Sequence, residues 1–247
     1  MPSQVSILQT KKQARAIMQT DRKRALLLGI VPMLLMMLLL YLLSNAAANI
    51  AMQMPRSSTY AQVYNYVQKT MNGNPNFFLY VYEGQLAYAM INVGVHFSAL
   101  DWVRRPYNKA KNSIADAFQV FSGRYFFKVI ILWIIIYFVN QLGYSLFFVI
   151  GGIFFSCAFR MSYFILKDVS NKQSIPIWSL FKLMGMSWRL MSGYKIKLFM
   201  LDLSFIFWDI INFLTMGLVN IYVAPYKATS YAIFYQSILQ EKATRKM

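Results

Sequence analysis

A run of 38 residues from Val129 to Leu166 contains one charged residue, Arg160, and it constrains the fold more than any other feature. As one α-helix it would measure about 57 Å, almost twice the hydrocarbon thickness of a bilayer. We therefore predict two membrane helices joined by a reversal. The sequence allows the reversal at Asn140 to Gly143 or at Gly151 and Gly152.

The composition is that of a membrane protein, with 58% hydrophobic and 13% charged residues, against about 25% charged in soluble domains. We predict an all-α, polytopic transmembrane helical bundle that forms a single membrane domain. Its six candidate spans are residues 25–45, 80–101, 127–147, 148–167, 198–215 and 219–239. The second span is interrupted by polar residues, so it either lies shielded inside the bundle or is partly re-entrant, which leaves five full spans as the alternative.

The first apolar stretch follows a basic start and precedes small residues, a pattern that signal peptides share. A signal peptide has a shorter apolar region, of about 7 to 15 residues. We therefore predict that this stretch is a retained span, within which Pro32 produces a kink or marks the entrance.

The net charge of +17 comes from clusters of Lys and Arg that flank the predicted spans. The positive-inside rule then assigns residues 1–24, 102–126 and 168–197 to the cytoplasm. Residues 52–79 hold only two basic residues and are predicted to be an extracellular loop. Both chain termini are expected on the cytoplasmic side of the plasma membrane.

Basic amphipathic helices are predicted on the cytoplasmic face, within residues 102–126 and at residues 174–191. Such segments attract anionic lipids. The predicted lipid contacts are Arg104, Arg105, Lys109 and Lys111. The bilayer and a membrane-protein partner are the expected binding partners. Nucleic acid is not expected, because the charge flanks spans and the aromatic residues are typical of an interfacial belt.

Two carboxylates lie inside an apolar segment, at Asp202 and Asp209. On a helix they would share a face, about 10 Å apart along the axis. The available cations are Arg160 and Lys227 within apolar stretches, and Lys195 and Lys197 at the cytoplasmic end. In a structural interpretation, Asp202 accepts hydrogen bonds or pairs with Lys195 or Lys197, and Asp209 pairs with Arg160 or Lys227 across helices. A functional interpretation makes the polar residues a proton or cation site.

The last span contains Pro225 and Tyr226. Proline has no N–H, which frees the carbonyl of Ile221 four residues earlier. That carbonyl is left for a ligand, or the proline only kinks the helix and packs it against its neighbours, which is the interpretation we favour.

The segment LDLSFIFWDIINFLTMGLVNIYVAPYKATSYAIFY, residues 201–235, resembles a bacterial integral membrane family, the domain of unknown function numbered nine hundred and seventy-five. The segments SWRLMSGYKIKLF at 187–199 and FVIGGIFFSCAFRMSYFIL at 148–166 extend the resemblance to about residues 145–236. Two positions depart from the family pattern, Gly151 in place of proline and Phe207 in place of glycine. The resemblance implies a multi-pass membrane protein and no particular activity.

Motifs of hydrolases, zinc proteases and P-loop proteins do not occur in the sequence. Cys157 and His96 are the only residues of their types and offer no zinc site. We therefore expect no enzyme, metal or cofactor. The leading hypothesis is an envelope-organising protein that binds lipid or a partner through its basic cytoplasmic face. The alternative is a small transporter or ion-coupled permease that uses its intramembrane Asp, Arg and Lys.

Overall fold

The computed structural model describes residues 6–53, 59–73, 77–105, 113–173 and 176–245, and within these ranges every regular element is a helix. The elements are α1 (Ile7–Thr20), α2 (Arg22–Gln53), α3 (Tyr60–Gly73), α4 (Phe77–Arg104), α5 (Ser113–Ala117), a 3₁₀ turn (Gln119–Phe121), α6 (Phe126–Phe159), α7 (Ser162–Lys172), α8 (Ser179–Leu190), α9 (Lys195–Leu203), α10 (Ile206–Leu214) and α11 (Asn220–Thr244). The prediction of an all-helical chain is confirmed.

Two helical segments of the described chain are long and apolar enough to cross a membrane. The first is Arg22–Asn49, with a mean hydropathy of 2.7, and the second is Phe126–Lys172, with a mean hydropathy of 1.9. The predicted second span lies within one continuous helix, α4. The predicted loop at 52–79 contains the helix α3, while residues 54–58 and 74–76 of that loop fall outside the described chain.

The chain reverses direction inside α6, at Phe147 and Phe148, where φ changes from −124° to 51°. A Cβ added to Gly143 would lie 3.1 Å from the carbonyl group of Gly151. In an unbroken helix these glycines would be about 12 Å apart. The reversal therefore lies between the two predicted turn positions, both of which were wrong, and coincides with the boundary between the candidate spans 127–147 and 148–167. The glycines do not form the turn; they stay helical and let its two limbs pack closely.

α11 forms the centre of the bundle and packs against α1, α2 and α4. Its Tyr226 and Phe234 are fully buried. Contact with α2 is closest at Gly29, where an added Cβ would lie 1.7 Å from the Ile221 carbonyl oxygen. Only a residue without a side chain permits this approach.

A turn joins α10 to α11, with positive φ at Met216 (52°) and Gly217 (90°). The N–H of Gly217 donates to the carbonyl of Asn212 at 2.8 Å and closes the end of α10. This turn directs α11 back along α10, so Asp209 on α10 faces Lys227 on α11.

Ion pairs join several helix termini at one end of the bundle. Arg24, at the start of α2, pairs with Asp116 of α5, and Arg104, at the end of α4, pairs with Asp168 of α7. The start of α2 and the ends of α4 and α7 therefore lie on the same side of the bundle.

Candidate functional site

A cluster of polar side chains lies where α6 meets α7, around Arg160. Its Nη2 lies 3.3 Å from Oδ2 of Asp202 on α9, and its Nη1 donates to the hydroxyl of Tyr231 on α11 at 3.2 Å. Tyr231 in turn donates to Asp202. The cluster is therefore a closed triangle that joins three helices and leaves the carboxylate with two partners.

Asp202 accepts a hydrogen bond from Tyr231, as one of the two predicted alternatives requires. It pairs with Arg160 rather than with Lys195 or Lys197, so the predicted partner lysines were wrong. Lys195 is seven residues before Asp202, about 10 Å along the axis, and Lys197 is turned by about 140°. Lys195 Nζ lies instead 3.6 Å from the ring centre of Trp188. Lys197 Nζ lies 5.7 Å from that of Tyr194. Both lysines contact aromatic rings in cation–π geometry.

Asp209 pairs with Lys227, one of the two partners that the sequence allows. Lys227 Nζ lies 2.7 Å from Oδ2 of Asp209 and bonds the other carboxylate oxygen as well. Half of the Asp209 side chain is exposed in the isolated chain. The two aspartates follow one another along α9 and α10, yet each binds a separate cation.

A cavity of about 220 Å³ adjoins Arg160, between α4, α6 and α7. Its wall includes Asn92, His96, Ser156, Arg160 and Tyr163, together with the apolar Ala89, Val93, Ile136, Phe159 and Phe164. Arg160 Nη2 donates to the Ser156 hydroxyl at 3.3 Å. Arg160 thus links the ion-pair cluster to the cavity.

His96 belongs to the same region. Its Nδ1 lies 2.6 Å from the carbonyl oxygen of Asn92, and its ring stacks on Tyr231 with 5.7 Å between centroids. Because a carbonyl only accepts, Nδ1 carries the hydrogen, and in the neutral form of the ring Nε2 is an acceptor. Asn92, His96 and Tyr231 were not predicted to belong to the site. The available signal was their spacing: Asn92 and His96, like Lys227 and Tyr231, are four apart on one helix face.

Arg104, one of the predicted lipid contacts, is exposed and also has an internal partner. Its guanidinium donates two hydrogen bonds to Asp168, at 2.6 and 2.8 Å. These bonds raise the pKa of Arg104. Arg105 is exposed at the end of α4, while Lys109 and Lys111 lie outside the described residues.

The N-terminal helix α1 carries an open basic groove. Its lining residues are Leu8, Lys11, Lys12, Arg15, Ala16 and Gln19. Lys11 Nζ lies 3.1 Å from the backbone carbonyl and the hydroxyl of Ser204, and Arg15 Nε lies 3.0 Å from the Tyr226 hydroxyl. Burial and the nearby Arg15 charge lower the pKa of Lys11. Thr10, Ala14 and Met18 form the buried face of this helix.

Pro225 lies within α11 without ending it. The carbonyl that it frees, at Ile221, faces Gly29 of α2, in a contact that is typical of close helix packing. Tyr226 is fully buried beside it. The structure therefore agrees with the packing role of this pair and leaves no space at the carbonyl for a ligand.

Residues 146–242 match the family described as "Protein of unknown function (DUF975)". This match confirms the resemblance seen over residues 145–236. Searches of curated proteins and of solved structures give no match to the chain. In the described ranges, no group of three or more His, Cys, Asp or Glu side chains could hold a metal ion.

Proposed function

We propose that this chain is a multi-pass protein of the bacterial cell membrane, with six spans and both termini in the cytoplasm. Its basic cytoplasmic face binds anionic lipid, or a partner protein, and so organises the envelope without catalysing a reaction. The family match and the two apolar helical segments are compatible with this proposal.

The main observation behind the proposal is that most of the acidic side chains form ion pairs inside the protein. Of the eight Asp and Glu side chains, six form internal ion pairs: Asp101, Asp116, Asp168, Asp202, Asp209 and Glu241. These six pairs engage six of the 25 Lys and Arg side chains. Most of the basic residues therefore remain to create the net charge of +17, which must attract anions from outside the chain.

Several basic side chains stand at the end of the bundle where the helix termini meet. Lys12 on α1, Arg22 and Lys23 at the start of α2, and Arg105 at the end of α4 are all exposed. A Lys or Arg near an anionic membrane surface contributes about 1 kcal/mol of binding free energy. Four such charges are enough to favour phosphatidylglycerol over a zwitterionic lipid.

The amphipathic helix α8 supports a location at the membrane surface. Leu180, Leu183 and Met184 are buried against the bundle, whereas Trp178 and Phe181 are exposed. Tryptophan is enriched at the level of the lipid headgroups. Lys182 and Arg189 are exposed on the same helix, where they suit an anionic surface.

The test compares lipid binding in nanodiscs that contain phosphatidylcholine and phosphatidylglycerol. The variant Lys12→Gln, Arg22→Gln, Lys23→Gln and Arg105→Gln should lose most of the phosphatidylglycerol enrichment that the wild type shows at low salt. The control is Lys69→Gln on α3, which lies on the predicted extracellular segment and should leave the enrichment unchanged. Equal enrichment in the wild type and the fourfold variant would contradict the proposal.

A second function, ion-coupled transport, is favoured by one observation: the cavity adjoins Arg160, which pairs with the carboxylate of Asp202. Its test uses vesicles that enclose a pH-sensitive dye. A transporter should carry a proton flux that Asp209→Asn abolishes while the protein remains folded. A wild type with no flux above that of empty vesicles would count against transport.

A further inference from the structure

We propose that the cavity between α4, α6 and α7 binds one small organic anion, a carboxylate or phosphate group on an apolar body. Binding there requires neither transport nor the basic cytoplasmic face, so the site is separate from the proposed lipid surface. Three features of the cavity support the proposal: the hydrogen-bond donors in its wall, the charge of its wall and its volume.

Arg160 supplies charged hydrogen-bond donors to the cavity wall. Arg160 keeps a third of its side chain accessible (33%), although it contacts Asp202, Tyr231 and Ser156. Those contacts use Nη1 and Nη2, and a guanidinium has five N–H groups. Donors therefore remain for a ligand, and planar carboxylate or phosphate groups match the guanidinium best.

The charge of the wall favours an anion over a cation. Arg160 is the charged residue among those that line the cavity, and none of the lining residues is acidic. Asp202 contacts Arg160 from α9, which is not among the helices that line the space. The carboxylate thus holds the guanidinium in position without occupying the cavity.

The rest of the wall suits an apolar body. Phe159 and Phe164 provide aromatic surface, and Ala89, Val93 and Ile136 provide aliphatic surface. Since a water molecule takes about 30 Å³ in the liquid, a volume of 220 Å³ holds about seven waters. A ligand of about seven non-hydrogen atoms fits this space, and pentanoate has that size.

The experiment measures the thermal unfolding midpoint of the protein in phosphatidylcholine nanodiscs, at constant ionic strength. The probes are pentanoate, its neutral analogue pentanol, and inorganic phosphate. Pentanoate should raise the midpoint in a saturable manner, as a ligand that binds only the folded state does. Pentanol should bind at least tenfold more weakly, because it cannot form the charged contact with Arg160.

Two matched variants on α4 decide the location. Ala89→Leu fills the cavity, whereas Ala87→Leu adds the same atoms at an exposed position of the same helix. Pentanoate should bind Ala87→Leu like the wild type and Ala89→Leu at least tenfold more weakly. These variants leave Arg160 and its partners intact, so the test does not depend on whether Arg160→Gln folds.

The source of the anion is distinguished by changing the lipid. If phosphatidylglycerol in the nanodisc suppresses the pentanoate response of the wild type, a lipid headgroup occupies the same cavity. If the response persists, the ligand is a soluble anion; either result supports the site. The proposal is overturned if both alanine variants respond equally, if pentanol matches pentanoate, or if neither pentanoate nor phosphate gives a saturable shift in phosphatidylcholine.

Discussion

The contact between α2 and α11 at Gly29 gives a prediction with a defined magnitude. A Cβ at this position would lie 1.7 Å from the Ile221 carbonyl oxygen, 2.5 Å from its carbon and 2.8 Å from its Cα. All three are backbone atoms, so no side-chain rotation relieves the clash. Ordinary contact begins at 3.4 Å, and Gly29→Ala must therefore separate the two helices by about 1.7 Å, the difference between 3.4 and 1.7 Å.

Such overpacking costs about 1 to 3 kcal/mol, and a separation of even 1 Å forfeits up to half of the dispersion energy of the contacts that line it. Alanine otherwise stabilises a helix by about 0.5 to 1 kcal/mol relative to glycine. We expect a net loss of about 2 kcal/mol. For a chain of this size, that loss lowers the unfolding midpoint by roughly 4 to 8 °C.

The assay is thermal unfolding in a mild detergent, with Gly185→Ala as the matched control. Gly185 also lies within a helix, α8, but an added Cβ there would meet nothing within 4 Å. The control should melt at the wild-type temperature or slightly above it. If Gly29→Ala melts like Gly185→Ala, the two helices are not in the proposed contact and the reasoning is refuted.

Three further predictions concern ionised groups. Arg104→Gln should lower the unfolding midpoint by several degrees, because it leaves a partly buried carboxylate unpaired, whereas Arg105→Gln at the adjacent exposed position should not. Burial raises the pKa of Asp116 above its usual 3.8, so the folded state binds the carboxyl proton more tightly than the unfolded state does. This protonation stabilises the fold fully below about pH 4, and the stabilisation is lost as the pH rises through the folded-state pKa. The melting temperature should therefore fall between pH 4 and pH 7, with a smaller slope in Asp116→Asn. Asp209→Leu should melt a few degrees lower than the wild type, because it leaves Lys227 without its carboxylate, and a higher melting temperature would show that the pair does not stabilise the bundle.

The helical class followed from the sequence, because it depends on local periodicity. The prediction that Asp202 and Asp209 share a face of one helix was wrong, because turn residues Ser204 and Phe205 separate α9 from α10. The partner of Asp209 could also be predicted from the sequence, since Lys227 was one of the two cations proposed for it. The partner of Asp202 was not, because it depends on how α6 and α9 cross. A cation near in sequence was preferred to Arg160, which is 42 positions away (202 minus 160).

The position of the reversal in α6 shows a different limit. Glycine marks both turns and close helix contacts, and in the sequence alone these roles look the same. Gly143 and Gly151 serve close contact, while two phenylalanines form the turn. Likewise, the cavity required the relative placement of α4, α6 and α7, which no local pattern encodes.

The docking of α1 has a consequence for the order in which the chain can fold. Lys11 and Arg15 find their partners 193 and 211 residues later in the chain. A ribosome adds about 5 to 20 residues each second. About ten seconds or more therefore pass between the synthesis of α1 and that of Ser204 and Tyr226. During that interval Lys11 and Arg15 of α1, and the backbone at Gly29 of α2, lack these native partners. Synthesis of α11 therefore completes the packing of α1 and α2, and a chain that stops before Asn220 leaves Arg15 and Gly29 without their contacts.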